Sequence, residues 1–127
     1  MSSAIPDLWP ADFGSLVKLT PEAILKVQAT KLAERTGGSV VGEVKTRIED
    51  GTVYSNFNLV APALNNYRYK LFYIAHGFNP YPLDFVSTPS IPHSIQNEAQ
   101  FLEKLGEILR AESTATIVNS LIQHSQE

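Results

Sequence analysis

Residues 39–76 read SVVGEVKTRIEDGTVYSNFNLVAPALNNYRYKLFYIAH, and the way this stretch pairs with itself decides the fold. Asp50-Gly51 stands between two β-rich runs. A two-residue type I′ turn needs positive φ at both central positions, and Asp-Gly is among the few dipeptides that supply it readily. With Glu49 and Thr52 flanking the turn, Ile48 faces Val53, Thr46 faces Ser55, Val44 faces Phe57, Gly42 faces Leu59 and Val40 faces Ala61. The opposite face then holds Arg47 with Tyr54, Lys45 with Asn56, Glu43 with Asn58 and Val41 with Val60. One register sorts both strands into an apolar and a polar face, and a one-residue slip destroys that agreement.

A second turn at Asn65-Asn66 adds a third strand. The expected register sets Phe72 beside Leu59 and Ile74 beside Phe57 on the apolar face, with Leu71 and Tyr73 on the other. Pro62 cannot donate a ladder hydrogen bond, so a bulge or an outward-facing position is expected there.

On the N-terminal side, Thr20-Pro21-Glu22 is a helix start: a hydroxyl cap, proline where no donor is needed, and an acid at the positive end of the dipole. Leu25, Ala29, Leu32 and Thr36 follow at helical spacing, with Ile24 and Gln28 alongside, and Gly37-Gly38 ends the helix. Residues 1–19 contain Pro6, Pro10 and Gly14 around Trp9 and Phe13 and read as an ordered arm. Its two large rings serve either to plug the end of the chain's own core or to dock on a second subunit.

On the C-terminal side, residues 81–86 alternate like a fourth strand, placed at the sheet edge by Pro82. Residues 87–94, with Pro89 and Pro92, read as a connector across the sheet end. Asn97 caps a second helix with Gln100 at the capping-box position and a stripe of Phe101, Leu102, Leu105, Ile108 and Leu109. A third helix, capped by Ser113, carries Ile117, Val118, Leu121 and Ile122. The expected fold class is therefore α+β: an N-terminal helix, a four-stranded antiparallel meander and two C-terminal helices in one domain spanning 1–127, its core at 20–127.

Geometry adds a constraint. Four strands about 4.8 Å apart make a sheet under about 20 Å wide, and helices packed about 8–10 Å apart cover it in a pair. The third must cross the other two, lie on the opposite face or meet another chain, since burying its four aliphatic side chains contributes about 6–10 kcal/mol.

Composition narrows the function classes. The 127 residues are 43% hydrophobic and 18% charged, as expected of a packed globule. Net charge is −3 with the signs interspersed, which gives no footprint for nucleic acid or anionic membrane. The absence of cysteine excludes disulfides, thiolate nucleophiles and thiolate metal sites. MSSAIPDLWPADFGSL has no basic region followed by an apolar run, and no later stretch reaches membrane-spanning length, so a soluble, cytoplasmic protein is expected.

No nucleotide-binding, hydrolase, zinc-protease or calcium-loop motif is present, and His76, His93 and His124 lie too far apart in sequence to suggest a metal site. Neither a cofactor nor a metal is expected. Thr46, Ser55 and His76 form a row at the sheet margin where a base stands near two hydroxyls, an alternative pocket that lacks an orienting acid. Alternating Glu43, Lys45, Arg47 and Glu49 suit either a charged ligand or a solvated face. A nucleic-acid regulator would have to assemble a basic patch from Lys45, Arg47 and Arg68.

The distribution of tyrosine is the strongest functional feature. The expected register turns Tyr54, Tyr67, Tyr69 and Tyr73 away from the core, beside Arg47, Asn56, Asn58, Val41, Val60 and Leu71. Tyrosine, arginine and exposed aliphatics are the composition of contact surfaces, although β propensity and cover by the third helix also account for them. Size, mild acidity and element order look like those of small bacterial accessory proteins, secretion chaperones and immunity proteins among them; that likeness is one of composition and carries no residue across. The leading expectation is a non-enzymatic protein-interaction module, a homodimer, acting through Arg47, Tyr54, Asn58, Tyr69, Leu71 and Tyr73. The alternative is a small-molecule binding protein or small enzyme with its pocket at Thr46, Ser55 and His76.

Overall fold

A computed structural model describes residues 5–8, 20–87 and 91–126. The hairpin is built as its turn chemistry dictates. Asp50 and Gly51 take φ of 51° and 79°, and strands β1 (Val41–Glu49) and β2 (Thr52–Ala61) pair from Glu49↔Thr52 through Thr46↔Ser55 and Val44↔Phe57 to Val41↔Val60. The alternation of faces follows the sequence.

Strands β3 (Tyr67–His76), β4 (Leu83–Ser87) and β5 (Ile91–Ile95) continue the meander into a five-stranded antiparallel sheet of order β1-β2-β3-β4-β5. The α+β architecture holds with one strand more than expected. The connector expected over 87–94 is strand at its described positions: Ser87 ends β4, and Ile91–Ile95 pairs with β4 along its length, from Leu83↔Ile95 to Ser87↔Ile91. Strand β4 is thus interior. Pro82 precedes it, after a cis Tyr81-Pro82 bond, and Pro92 is the proline that occupies an edge strand.

The third-strand register also differs. Leu59 pairs with Tyr69 instead of Phe72, and Phe57 pairs with Phe72 instead of Ile74. Two local causes combine. Pro62–Leu64 winds into a 3-10 turn that closes through left-handed Asn65 and Asn66, bringing Tyr67 opposite Ala61. The register then shifts between Phe57 and Asn58, leaving Leu71 as the extra residue of a bulge. Before the bulge Tyr69 shares a face with Leu59; after it, Phe72 and Ile74 take over that face. Leu71 is buried in the core, and Tyr69 packs against it.

Helix α1 (Pro21–Arg35) starts where Thr20 Oγ1 accepts a hydrogen bond from the Ala23 amide at 3.1 Å. It buries Ile24 and Leu25. Gly37 and Gly38, at φ 61° and 86°, release the chain, while Thr36 Oγ1 donates to Val40 O at 2.7 Å and steers it into β1. Ala29 lies directly over Gly42: a Cβ on Gly42 would stand 2.5 Å from Ala29 Cα. The lack of a side chain at residue 42 therefore sets how closely α1 meets the sheet.

Helix α2 (Glu98–Leu109) is capped by Asn97 Oδ1, which accepts from the Gln100 amide at 2.9 Å. Gln100 reaches back to the Gln96 amide, one residue short of a capping box. Helix α3 (Glu112–Ser125) begins at Ala111 with no side-chain cap, and Ser113 lies inside it instead of at its start. What fixes this corner is buried Thr114, whose hydroxyl donates to Ile108 O at 2.7 Å and binds the start of α3 to the end of α2.

All three helices lie on the face bearing Gly42, Phe57, Leu59 and Phe85. Helix α1 covers β1, α2 stands by β5 with Phe101 against Phe85, and α3 packs beside β2 and the Pro62–Leu64 turn. The placement left open by the sequence is thus settled: the third helix shares the face of the other two and buries Leu121 there. A ladder of rings crosses the sheet, Phe57 to Phe72 at 5.2 Å, Phe72 to Phe85 at 4.5 Å and Phe85 to Phe101 at 6.3 Å between centroids. In the arm, only residues 5–8 are described, with Ile5 and Leu8 exposed; Trp9 and Phe13 lie outside the described residues.

Candidate functional site

The site follows from the spacing of the layers. Strands β1 and β5 are four inter-strand steps apart, about 19 Å at about 4.8 Å per step. Helices standing over opposite edges are therefore separated by about twice a helix-packing distance. Helix α3 enters the gap beside β2 and the Pro62–Leu64 turn, and the rest of the gap is a groove of about 590 Å³. Phe57, Leu59 and Leu71 form its floor; Leu32 on α1, Leu105 and Leu109 on α2 and Val118 on α3 form apolar walls. Leu102, expected in the buried stripe of α2, stays 47% exposed because it stands at the groove's lip with no element over it.

The polar part of the lining is one-signed. Lys31 and Arg35 come from successive turns of α1 and Arg110 from the end of α2, with no carboxylate among the lining residues. The ion pairs among the described residues are Glu22 with Lys26, Arg47 with Glu49, Glu43 with Arg68 and Lys104 with Glu107, and none uses these three cations. The Arg110 side chain folds over Gly106, its Nη1 3.1 Å from where a Cβ there would lie. No sequence pattern marks this group. Lys31 and Arg35 read as the solvated side of a helix, and only the tertiary placement of α1 and α2 brings Arg110 to the same groove.

The Thr46, Ser55 and His76 row is divided. Thr46 and Ser55 join through their hydroxyls at 3.0 Å, with Ser55 fully buried. Ser55 pairs with Ile74, whereas His76 stands one same-face step away opposite Val53, its Nδ1 bonded to Gly77 O at 2.9 Å. His76 lines a cleft of about 250 Å³ with Thr52, Pro82, Asp84 and Ser94, in which neither Thr46 nor Ser55 takes part. His76 and the Thr46 and Ser55 hydroxyls do not share a site.

The expected tyrosine face is reduced to a pair. Tyr54 and Tyr73 lie 6.3 Å apart on the face away from the helices, with Arg47 4.3 Å over Tyr54 and Lys70 4.9 Å over Tyr73. Asn58 shares that face and donates to Glu43 at 3.1 Å, beside Arg68, whose Nε holds the same carboxylate at 3.0 Å. The Arg68 hydrogen bond is the main reason the Glu43 carboxyl sits below its ordinary pKa. Tyr69 and Leu71 are not on this face; the Pro62–Leu64 turn sets Tyr69 opposite Leu59 on the core side, and Leu71, the bulge residue, is buried there as part of the groove floor. Tyr67 pairs with Ala61 at the strand end.

Among the described residues no group of three or more His, Asp or Glu side chains is placed to hold a metal ion, and no helix is long and apolar enough to cross a membrane. No protein-family model matches the chain, and neither does any curated protein or solved structure.

Proposed function

We propose that this chain is a non-enzymatic binding module that seats its ligand in the groove between α1 and α2. The observation that supports this reading is the groove itself. Its volume of about 590 Å³ lies inside the range of small-molecule sites, and its apolar floor with a few convergent polar groups is the composition such sites share. Thr114 is the one hydroxyl in the lining, and its hydrogen is committed to Ile108 O. The lining thus offers apolar contact and positive charge, which hold a ligand in place.

The test is titration with a neutral apolar fluorophore such as N-phenyl-1-naphthylamine, comparing the wild type with Val118→Phe, which fills the groove from α3. One saturable site, weakened at least tenfold in the variant at unchanged unfolding midpoint, is the expected result. Equal affinity in both proteins refutes the reading.

A second reading, association with a protein partner or a second copy of the chain, draws on the other face. None of the helices covers it, and it presents the Tyr54 and Tyr73 rings between two cations. Under that reading Tyr73→Glu lowers the sedimentation coefficient or releases a captured partner. A variant that behaves as wild type in both assays removes it.

A further inference from the structure

We infer that the occupant of the groove is a single-chain amphiphile with one anionic head group, of the fatty-acid kind. This rests on the reading of the groove as a ligand seat and adds what the seat selects. The first argument is where the charge lies. Helix α1 leads into the start of β1 and therefore ends at the sheet end away from the Asp50-Gly51 turn. Helix α2 starts just after Ile95, which pairs with Leu83 beside His76 and Val53 at the turn end. Its 12 residues span about 18 Å and run back toward the opposite end. Arg35 and Arg110 thus arrive at the same end of the groove, with Lys31 one turn below.

The charge is gathered at one end, and the floor running from it, Leu59 and Leu71 and then Phe57, is apolar. A ligand complementary to this layout has one anionic end and one aliphatic body. A helix carrying acids along its length would meet cations only at one extremity.

The second argument is the sign of the field. The carboxyl ends of α1 and α2 each carry about half a negative charge, which accounts for a basic residue near each end without any ligand. Three full cations line the groove against about one negative charge from the two helix ends, so the lining carries an excess of positive charge. No carboxylate in the lining reduces that excess. An anionic head group removes it, while the flexible stems of Lys31 and Arg35 fold over an aliphatic chain below.

The experiment is calorimetric titration of the full chain with octanoate, decanoate and dodecanoate below their micellar concentrations, and with decanol as the uncharged match. Wild type is compared with Arg35→Gln/Arg110→Gln, two exposed positions, with folding checked by circular dichroism. The carboxylates are expected to bind one to one, each added methylene tightening binding about fourfold until the groove is full. Decanol should bind at least tenfold more weakly than decanoate, and the double variant should lose tenfold or more for decanoate alone. Binding that ignores the head group and the variant overturns the anionic assignment and leaves the groove a charge-blind seat. A groove that takes the neutral fluorophore and none of the amphiphiles overturns the ligand class. Failure of the fluorophore as well overturns the reading on which the inference rests.

Discussion

Replacing Gly42 by alanine tests the packing on which the groove depends. The added Cβ would stand 2.5 Å from Ala29 Cα, 2.6 Å from Ala29 Cβ and 3.1 Å from Phe57 Cζ. Ordinary contact begins near 3.4 Å, so α1 must retreat by about 1 Å, a gap that forfeits roughly a quarter to a half of each dispersion contact it opens. Leu25, fully buried, and Ile24 lie on the retreating helix. Overpacking costs about 1–3 kcal/mol, here toward the upper end because backbone is struck. Alanine returns about 0.5–1 kcal/mol of strand entropy, so the net loss is about 2 kcal/mol. Urea unfolding followed by far-ultraviolet circular dichroism measures it as a lower midpoint at unchanged slope. Adding Ala29→Gly removes the 2.6 Å contact and leaves the 2.5 Å one, while glycine inside a helix costs about 1 kcal/mol. The double variant should therefore be no more stable than the single one. A single variant within about 0.5 kcal/mol of wild type, or full rescue by the double, would refute this account of how α1 meets β1.

Loss of the α2 cap in Asn97→Ala should cost about 1 kcal/mol, with Asn97→Ser retaining most of the stability in the same urea titration. The lowered carboxyl pKa of Glu43 sets a pH dependence. Its contribution is present above the unfolded carboxylate value and is lost as pH falls through the lower folded value. Acid titration of stability should thus be shallower in Glu43→Gln than in wild type over that window, and equal slopes would remove the Glu43–Arg68 pair as the cause. Tyr81 Oη is buried with no hydrogen-bond partner among the described residues, and burial raises its pKa ahead of the nearby Glu98 charge. Tyr81→Phe should be neutral or stabilising by up to about 1 kcal/mol in thermal unfolding; a clear loss would show that the hydroxyl is satisfied.

The parts of the fold legible in the sequence are those fixed within a few residues. Asp50-Gly51 dictates its own turn and, with strict alternation on both sides, the register of nine residue pairs. Thr20 and Asn97 identify their helices by a side-chain bond three residues long. Failures begin where the decision is not local. Pro62 marked irregularity at the β2–β3 connection, yet the bulge formed at Leu71, where stacking of Phe57 on Phe72 and burial of Leu71 outweigh unbroken alternation. The longer turn placed Tyr69 on the core face, and the bulge kept Leu71 there while returning Phe72 and Ile74 to their expected side. Strand β5 was hidden because Pro92 argues against a strand everywhere except at an edge, and its edge position depends on β4 being interior. The groove was less legible still, since Arg110 bears no sequence relation to Lys31 and Arg35 and meets them only through the width of a five-stranded sheet.

The two margins of the sheet are unequal as templates for chain-to-chain pairing. Along β5, Pro92 has no amide hydrogen, and proline is accommodated in an edge strand with its nitrogen toward solvent, so an incoming backbone finds a broken row of donors. Along β1 the row is intact for nine residues, and the half nearest the turn stands clear of α1, with Ile48 74% exposed. What guards that margin is charge: Glu43, Lys45, Arg47 and Glu49 alternate along it. Fibrillar growth, if this chain is forced into it, should therefore be one-sided, starting from β1 and accelerating when Lys45 and Arg47 are neutralised.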